Sequence, residues 1–258
     1  MSGGREFYDI MHEGKRLALP RVTSILSVID KSNALMGWAT KLEREAVRLA
    51  LEDVRTTPGA MTAMEACDRI EQAITGQRAW VTARDSAANV GTEAHALVHW
   101  HTHRMLGHDA GPEPGVSDAA IVAVSAWLDW CKAVDFTPVY AERIVYCPRC
   151  AYAGTLDSIA LVDGTLTLVD WKPGRAVYPD AFLQNIAYRH AATREGMTTE
   201  GGLILRLPKK GGDPAFEAVR VPTLPYDYFL AASHLWRWKK MMDHHAYGPD
   251  VEPCEVIV

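Results

Sequence analysis

The chain has 258 residues, 48% of them hydrophobic, and 32 acidic against 27 basic side chains give a formal charge of −5. That is enough apolar material for a full core, and no stretch approaches the roughly 18 apolar residues of a membrane span. A soluble globular protein with no membrane partner is expected, and the absence of an apolar signal core in Met1-Ser2-Gly3-Gly4-Arg5-Glu6 points to a cytoplasmic location.

In chain order, Phe7 to Leu19 reads as a short hairpin with Glu13-Gly14 at its turn and Pro20 closing it. Thr23 or Ser24 is expected to cap a short helix. Apolar residues at helical spacing (Leu35, Trp38, Leu42, Ala46, Leu49) predict a helix over 34–53, broken by Pro58-Gly59, with two more near 61–74 and 77–89. Gly91-Thr92 opens the next, with Thr92 as N-cap, running to about Met105. A Gly- and Pro-rich loop precedes an amphipathic helix over 118–134, after which the period changes from helical to two. Strands near 139–146, 151–162 and 165–171 form a meander, followed by a helix over 180–194, strands near 202–207 and 216–221, and a final helix over 226–245. Helices before and after a run of strands predict an α/β fold with helices packed on a sheet.

The meander carries the chemistry. Asp163-Gly164 flanked by alternating apolar residues is a strong hairpin signal, and a two-residue turn pairs Val162 with Thr165. Counting outward sets Asp157 opposite Asp170, ending an apolar stripe of Ile159, Leu161, Leu166 and Leu168 on the same face, with Lys172 two residues further. Like charges opposed at this range are destabilising unless neutralised. Lys172 supplies one positive charge, and hard divalent cations favour paired carboxylates. A Mg²⁺ or Mn²⁺ site is therefore expected; a surface hairpin with a salt bridge is the simpler alternative.

Taken together and in order, Gly91-Thr92-Glu93-Ala94-His95, Gly154-Thr155-Leu156-Asp157, Asp170-Trp171-Lys172 and Gln184-Asn185-Ile186-Ala187-Tyr188 resemble the PD-(D/E)XK nuclease superfamily. The closest likeness is to RecB-type exonuclease domains, including small stand-alone phage and mitochondrial exonucleases. Pro20-Arg21-Val22-Thr23-Ser24-Ile25-Leu26 is also similar to the start of such proteins. The resemblance implies a restriction-endonuclease-like core, a mixed central sheet flanked by helices, over 91–258, with a hairpin and helical elaboration over 1–90. It implies His95, Asp157, Asp170 and the backbone carbonyl of Trp171 as metal ligands, and Lys172 as the catalytic lysine. Gln184 and Tyr188, four apart on one helix face, would lie near the substrate strand, and Glu142 would be a supporting acid behind the ligands. The implied activity is metal-dependent hydrolysis of DNA, by an exonuclease serving recombination, repair or replication, in a host cytoplasm if phage-encoded, alongside a recombinase or helicase. A catalytically silent DNA-binding or recruitment module of the same fold is the alternative.

Other features bear on these expectations. His95 and His99 at i, i+4 share a helix face as zinc pairs do, but the Glu of His-Glu-x-x-His is missing, so a zinc hydrolase is a minor reading. Five scattered cysteines argue against a disulfide framework, and Cys147-Pro148-Arg149-Cys150 lacks the second pair that a structural zinc site wants. Only Cys254 lies near the end, so no iron-sulfur cluster is expected. Between 203 and 240, seven basic residues (Arg206, Lys209, Lys210, Arg220, Arg237, Lys239, Lys240) against three acids suggest a phosphate-facing patch, with Arg206 as a substrate contact, or an ordinary solvated surface.

Overall fold

The computed structural model describes residues 6–29, 32–57, 62–75, 79–209, 212–213 and 215–247. Pro58-Gly59, Lys210 and Cys254 lie outside them. The N-terminal hairpin forms as expected, β1 (Phe7–His12) pairing antiparallel with β2 (Lys15–Pro20). Glu13 and Gly14 both take positive φ, 48° and 77°, the backbone of the mirror-image turn whose twist matches the strands it joins.

The main sheet runs β3-β4-β5-β6-β7, from β3 (Phe136–Cys147), β4 (Tyr152–Val162), β5 (Thr165–Pro173), β6 (Gly201–Leu207) and β7 (Glu217–Arg220). All neighbours are antiparallel except β5 and β6, which run parallel and are joined through helix α6 (Pro179–Arg194). Asp163 and Gly164 repeat the tight turn at φ 50° and 78°, and they set the expected register from Val162↔Thr165 to Ser158↔Val169.

Helices cover both faces of this sheet. Residues 168 and 171 differ by an odd number, so they point to opposite sides. Leu168 packs in a core with Val22, Ile25, Ala187, Tyr188 and Phe229, drawn from α1 (Val22–Ile25), α6 and α7 (Asp227–Tyr247). Trp171 instead meets Trp127 and Trp130 of α5 (Asp118–Ala133) edge to face. The result is a mixed α/β architecture, a five-stranded mixed sheet flanked by helices.

Contacts divide the chain into two units, 30–90 in one and 1–29 with 91–258 in the other. The hairpin falls in the same unit as the sheet. Its anchors are the Arg21↔Ala153 bridge and a 2.8 Å hydrogen bond between the Tyr8 and Thr155 hydroxyls. The other unit contains α2 (Ser32–Thr56) and α3 (Ala63–Thr75). Thr62 caps α3 reciprocally: its hydroxyl accepts the Glu65 N–H at 3.2 Å, and Glu65 accepts the Thr62 N–H at 2.8 Å.

Two expected helix starts are corrected. Thr92 lies inside a helix and does not start one, because α4 (Ala79–Met105) runs through Gly91; a single mid-helix glycine costs only about 1 kcal/mol, and Ala87, Ala88, Ala94 and Ala96 favour helix on either side. Thr23 and Ser24 lie inside α1, whose N-cap is Arg21 in extended conformation after Pro20. No helix among the described residues is long and apolar enough to cross a membrane.

Candidate active site

Asp157 sits where both of its ladders are interrupted. Pairing with β5 stops at Ser158↔Val169, one step short of the expected Asp157/Asp170 pair, and pairing with β3 skips from Ala141↔Ser158 to Arg143↔Leu156. The residue skipped opposite Asp157 is Glu142, whose φ of 43° is a left-handed backbone uncommon for a residue with a side chain. Pairing of β4 with β5 therefore ends at the acid, while the ladder with β3 resumes in the same register beyond it. Asp157 Oδ2 accepts the Trp171 N–H at 2.8 Å across the gap, and because the N–H and C=O of a strand residue face the same edge, the Trp171 carbonyl turns toward Asp157 as well.

Asp170 is 1% exposed, and its Oδ1 has no hydrogen-bond partner. Lys172 Nζ lies 2.7 Å from Oδ2, a close ion pair. Burial, the largest influence, pushes the Asp170 carboxyl up to about 6; Lys172 pulls it down, Asp157 adds to the rise and His95 opposes it. For Lys172 burial disfavours the charge, but Asp170 and Asp157 outweigh it, and the ammonium is held above its usual range. Lys172 is thus a fixed cation. His95, from α4, places Nδ1 3.9 Å from Asp157 Oδ1.

These side chains suit a divalent cation by their chemistry. Two carboxylates, a carbonyl turned the same way and an imidazole match the oxygen-rich preference of Mg²⁺ or Mn²⁺, and Asp170 Oδ1 is a buried acceptor without a donor. No three His, Cys, Asp or Glu side chains among the described residues are drawn together closely enough to hold a metal as they stand. His99, one turn beyond His95, faces a different carboxylate, with Nδ1 3.4 Å from Glu142 Oε2. Burial lowers its pKa. Glu142 is raised by burial and then by Asp157. It stands near Asp157, at the position opposite it on β3.

Tyr188 is buried against β4, and its hydroxyl accepts a 2.9 Å hydrogen bond from Gln184 Nε2. Burial, then Asp170 and Asp157, raise its pKa. The glycine of Gly154-Thr155-Leu156-Asp157 has a packing reason: a Cβ there would lie 2.3 Å from the Tyr188 ring. Arg206 is corrected. At 2% exposure its guanidinium is held by Glu217, directly opposite on β7, and by the carbonyls of Gly174 and Ala215, so it ties strands together and does not face a substrate. The wider basic patch also disperses, since Arg237 donates to the Cys150 and Ala151 carbonyls and Lys240 pairs with Glu6 at 2.7 Å. Cys147 and Cys150 form part of the turn between β3 and β4, and burial pushes the Cys147 thiol up to about 11.

Beside Asp157 opens a cavity of about 370 Å³ whose wall includes Tyr8, Arg21, Thr155, Glu142 and Tyr188. Tyr8 and Arg21 were not among the expected site residues; the only signal was the likeness of Pro20-Arg21-Val22-Thr23 to the start of RecB-type domains. No family model and no curated protein sequence matches the chain. Among solved structures it is similar to the crystal structure of SSO0001, with a TM-score of 0.27 and 11% identity over 80% of this chain and 95% of that one, a likeness too slight to carry an argument.

Proposed function

We propose that the protein is a metal-dependent deoxyribonuclease with a restriction-endonuclease-like core, acting as an exonuclease of the RecB-type PD-(D/E)XK kind. The observation that carries the reading is the buried Asp170 carboxylate, ion-paired with Lys172 and lying where the pairing of β4 with β5 stops short of Asp157. Such a carboxylate is costly in an idle surface hairpin, and it is useful where a cation must be held.

Asp157 Oδ1, an Asp170 oxygen, the Trp171 carbonyl and His95 would hold Mg²⁺ or Mn²⁺. When bound, the ion supplies positive charge for phosphoryl oxygens and lowers the pKa of water in its shell. Lys172 keeps its own charge beside Asp170 and would stabilise negative charge building on the phosphate. Trp171 N–H holds Asp157 Oδ2, and Oδ1 faces His95. Preference for exonuclease action, and for a role in recombination, repair or replication beside a recombinase or helicase, rests on the sequence resemblance.

The zinc-hydrolase reading has less support, because His95 and His99 face different carboxylates. A silent DNA-binding module would not need the Asp157, Asp170 and Lys172 set. The test is hydrolysis of end-labelled single- and double-stranded DNA with Mg²⁺ or Mn²⁺, for wild type, Asp170→Ala and Lys172→Met. Cutting by wild type alone is expected; equal cutting by all three, or by none with either metal, refutes the assignment.

A further inference from the structure

The cavity beside Asp157 is lined by both signs of charge, with Asp157 and Glu142 as its acids and Arg21, the residue after the N-terminal hairpin, as its cation. Arg21 forms no ion pair among the described residues, and its Nε is buried with no acceptor. A buried donor left without a partner costs about 1–3 kcal/mol, an expense that is recovered when an acceptor arrives with a ligand. The guanidinium lies over the Tyr8 ring, 4.8 Å from its centroid, and stacking on an aromatic face leaves the edge N–H groups free for a planar two-point contact with an oxyanion.

That platform is built into the site. The Tyr8 hydroxyl bonds Thr155, two residues before Asp157, and Arg21 bridges Ala153 on the same strand. The Arg21 N–H is also fixed, donating to the Glu6 carbonyl at 3.0 Å. On the cavity wall, the Tyr188 oxygen already accepts from Gln184, so its own proton is available to donate.

We infer that Arg21, braced on Tyr8, binds a phosphate group of the nucleic-acid strand adjacent to the bond cut at Asp157 and Asp170. The inference rests on the nuclease reading for its substrate, and it adds a residue that neither holds the ion nor acts at the scissile bond. Arg21 is a positioning residue: it sets where the strand lies. The phosphate is either an internal diester or a terminal monoester, and both present the same oxyanion to the guanidinium.

The experiment uses the full-length protein with Arg21→Gln and Arg21→Lys. Binding of a 3′-labelled single-stranded oligonucleotide, with a 5′-phosphate or a 5′-hydroxyl, is followed by anisotropy in Ca²⁺ across a salt series, and hydrolysis is followed separately in Mn²⁺. Arg21→Gln should raise Kd about tenfold and flatten the salt dependence by one phosphate contact, a change in slope of about 0.7. Arg21→Lys should lose less, since it keeps the charge but not the two-point geometry. In hydrolysis, KM should rise about tenfold while kcat stays within about threefold.

A loss confined to the 5′-phosphorylated oligonucleotide supports a terminal phosphate, and an equal loss on both supports an internal one. Unchanged Kd and salt slope in both variants overturn the inference even if wild type cuts DNA. Arg21-dependent binding by a wild-type protein that cuts with no metal sustains the phosphate subsite and refutes the nuclease reading instead. Should Arg21→Gln melt well below wild type, Arg21→Lys decides by the same two measurements.

Discussion

Asp157→Asn separates an ion ligand from a structural acid. The buried Asp170 carboxyl, held at about 6 against an ordinary 3.8, makes ionisation cost about 3 kcal/mol more in the folded chain than in the unfolded one. Because the folded value is raised, that stability is fully present below 3.8 and is lost as pH rises through about 6. At pH 8 the metal-free site is therefore under its full strain, part of it due to Asp157. Asparagine keeps an oxygen for the Trp171 N–H, now bonded at 2.8 Å, and removes the like charge, a gain of roughly 1 kcal/mol at most. Without metal the variant should melt at or slightly above wild type. With Mn²⁺ at a hundred times its Kd, wild type should gain about 2.7 kcal/mol, about 5–10 °C in a domain of this size, and the variant almost nothing. Paired thermal melts at pH 8, with and without Mn²⁺, read both effects. A variant that melts lower than wild type without metal, or that keeps the full metal-induced rise, would show that Asp157 serves the fold and not an ion.

The same carboxyl sets a pH dependence. Protonated Asp170 brings no charge to an ion, so the Mn²⁺-induced rise in Tm should shrink as pH falls below about 6, while metal-free stability should increase over that interval; melts from pH 5 to 8 would reveal any opposite trend. Gly154→Ala places a methyl 2.3 Å from the Tyr188 ring and should destabilise by about 1–3 kcal/mol with loss of cleavage. In a Tyr188→Leu background the penalty should fall, and strict additivity in that double-mutant cycle would show that the contact is not what fixes the glycine. Arg206→Met should lower Tm by uncoupling β6 from β7, where Arg206 opposes Glu217, yet leave oligonucleotide affinity within about twofold; a large affinity loss in a well-folded variant would restore Arg206 as a substrate contact.

What local chemistry encodes was legible in the chain. Asp163-Gly164 demands positive φ at both positions, and a two-residue turn admits a single register, so Ser158↔Val169 followed from counting. The helix carrying Gln184 and Tyr188 was predicted within a residue of α6. What was misread depends on partners distant in sequence. Arg206 follows Leu203-Ile204-Leu205, all buried between two neighbouring strands, and only the placement of Glu217 on β7 turns it from a surface cation into a buried tie. Gly91-Thr92 carries a real helix-start signal, but its preference is smaller than the helix propensity of the alanines around it. Tyr8 and Thr155 are 147 residues apart, so no periodicity announces that the first hairpin completes the cleft.

Several unfavourable features of the sheet unit lie at or beside Asp157. Glu142 holds a left-handed backbone, the Asp170–Lys172 ion pair is buried, the Arg21 Nε has no acceptor, and the pairing of β4 with β5 stops short of Asp157. Each runs against stability, and strain of this kind persists where surrounding structure overrides it and function requires it. The cavity lining also carries both signs, acids at Asp157 and Glu142 and a guanidinium at Arg21 that pairs with no carboxylate among the described residues. A metal ion and a phosphate would satisfy both at once, whereas a structural salt bridge would have closed the gap by bringing Arg21 to the acids. Holding the two signs apart is intelligible if a nucleic-acid strand lies between them.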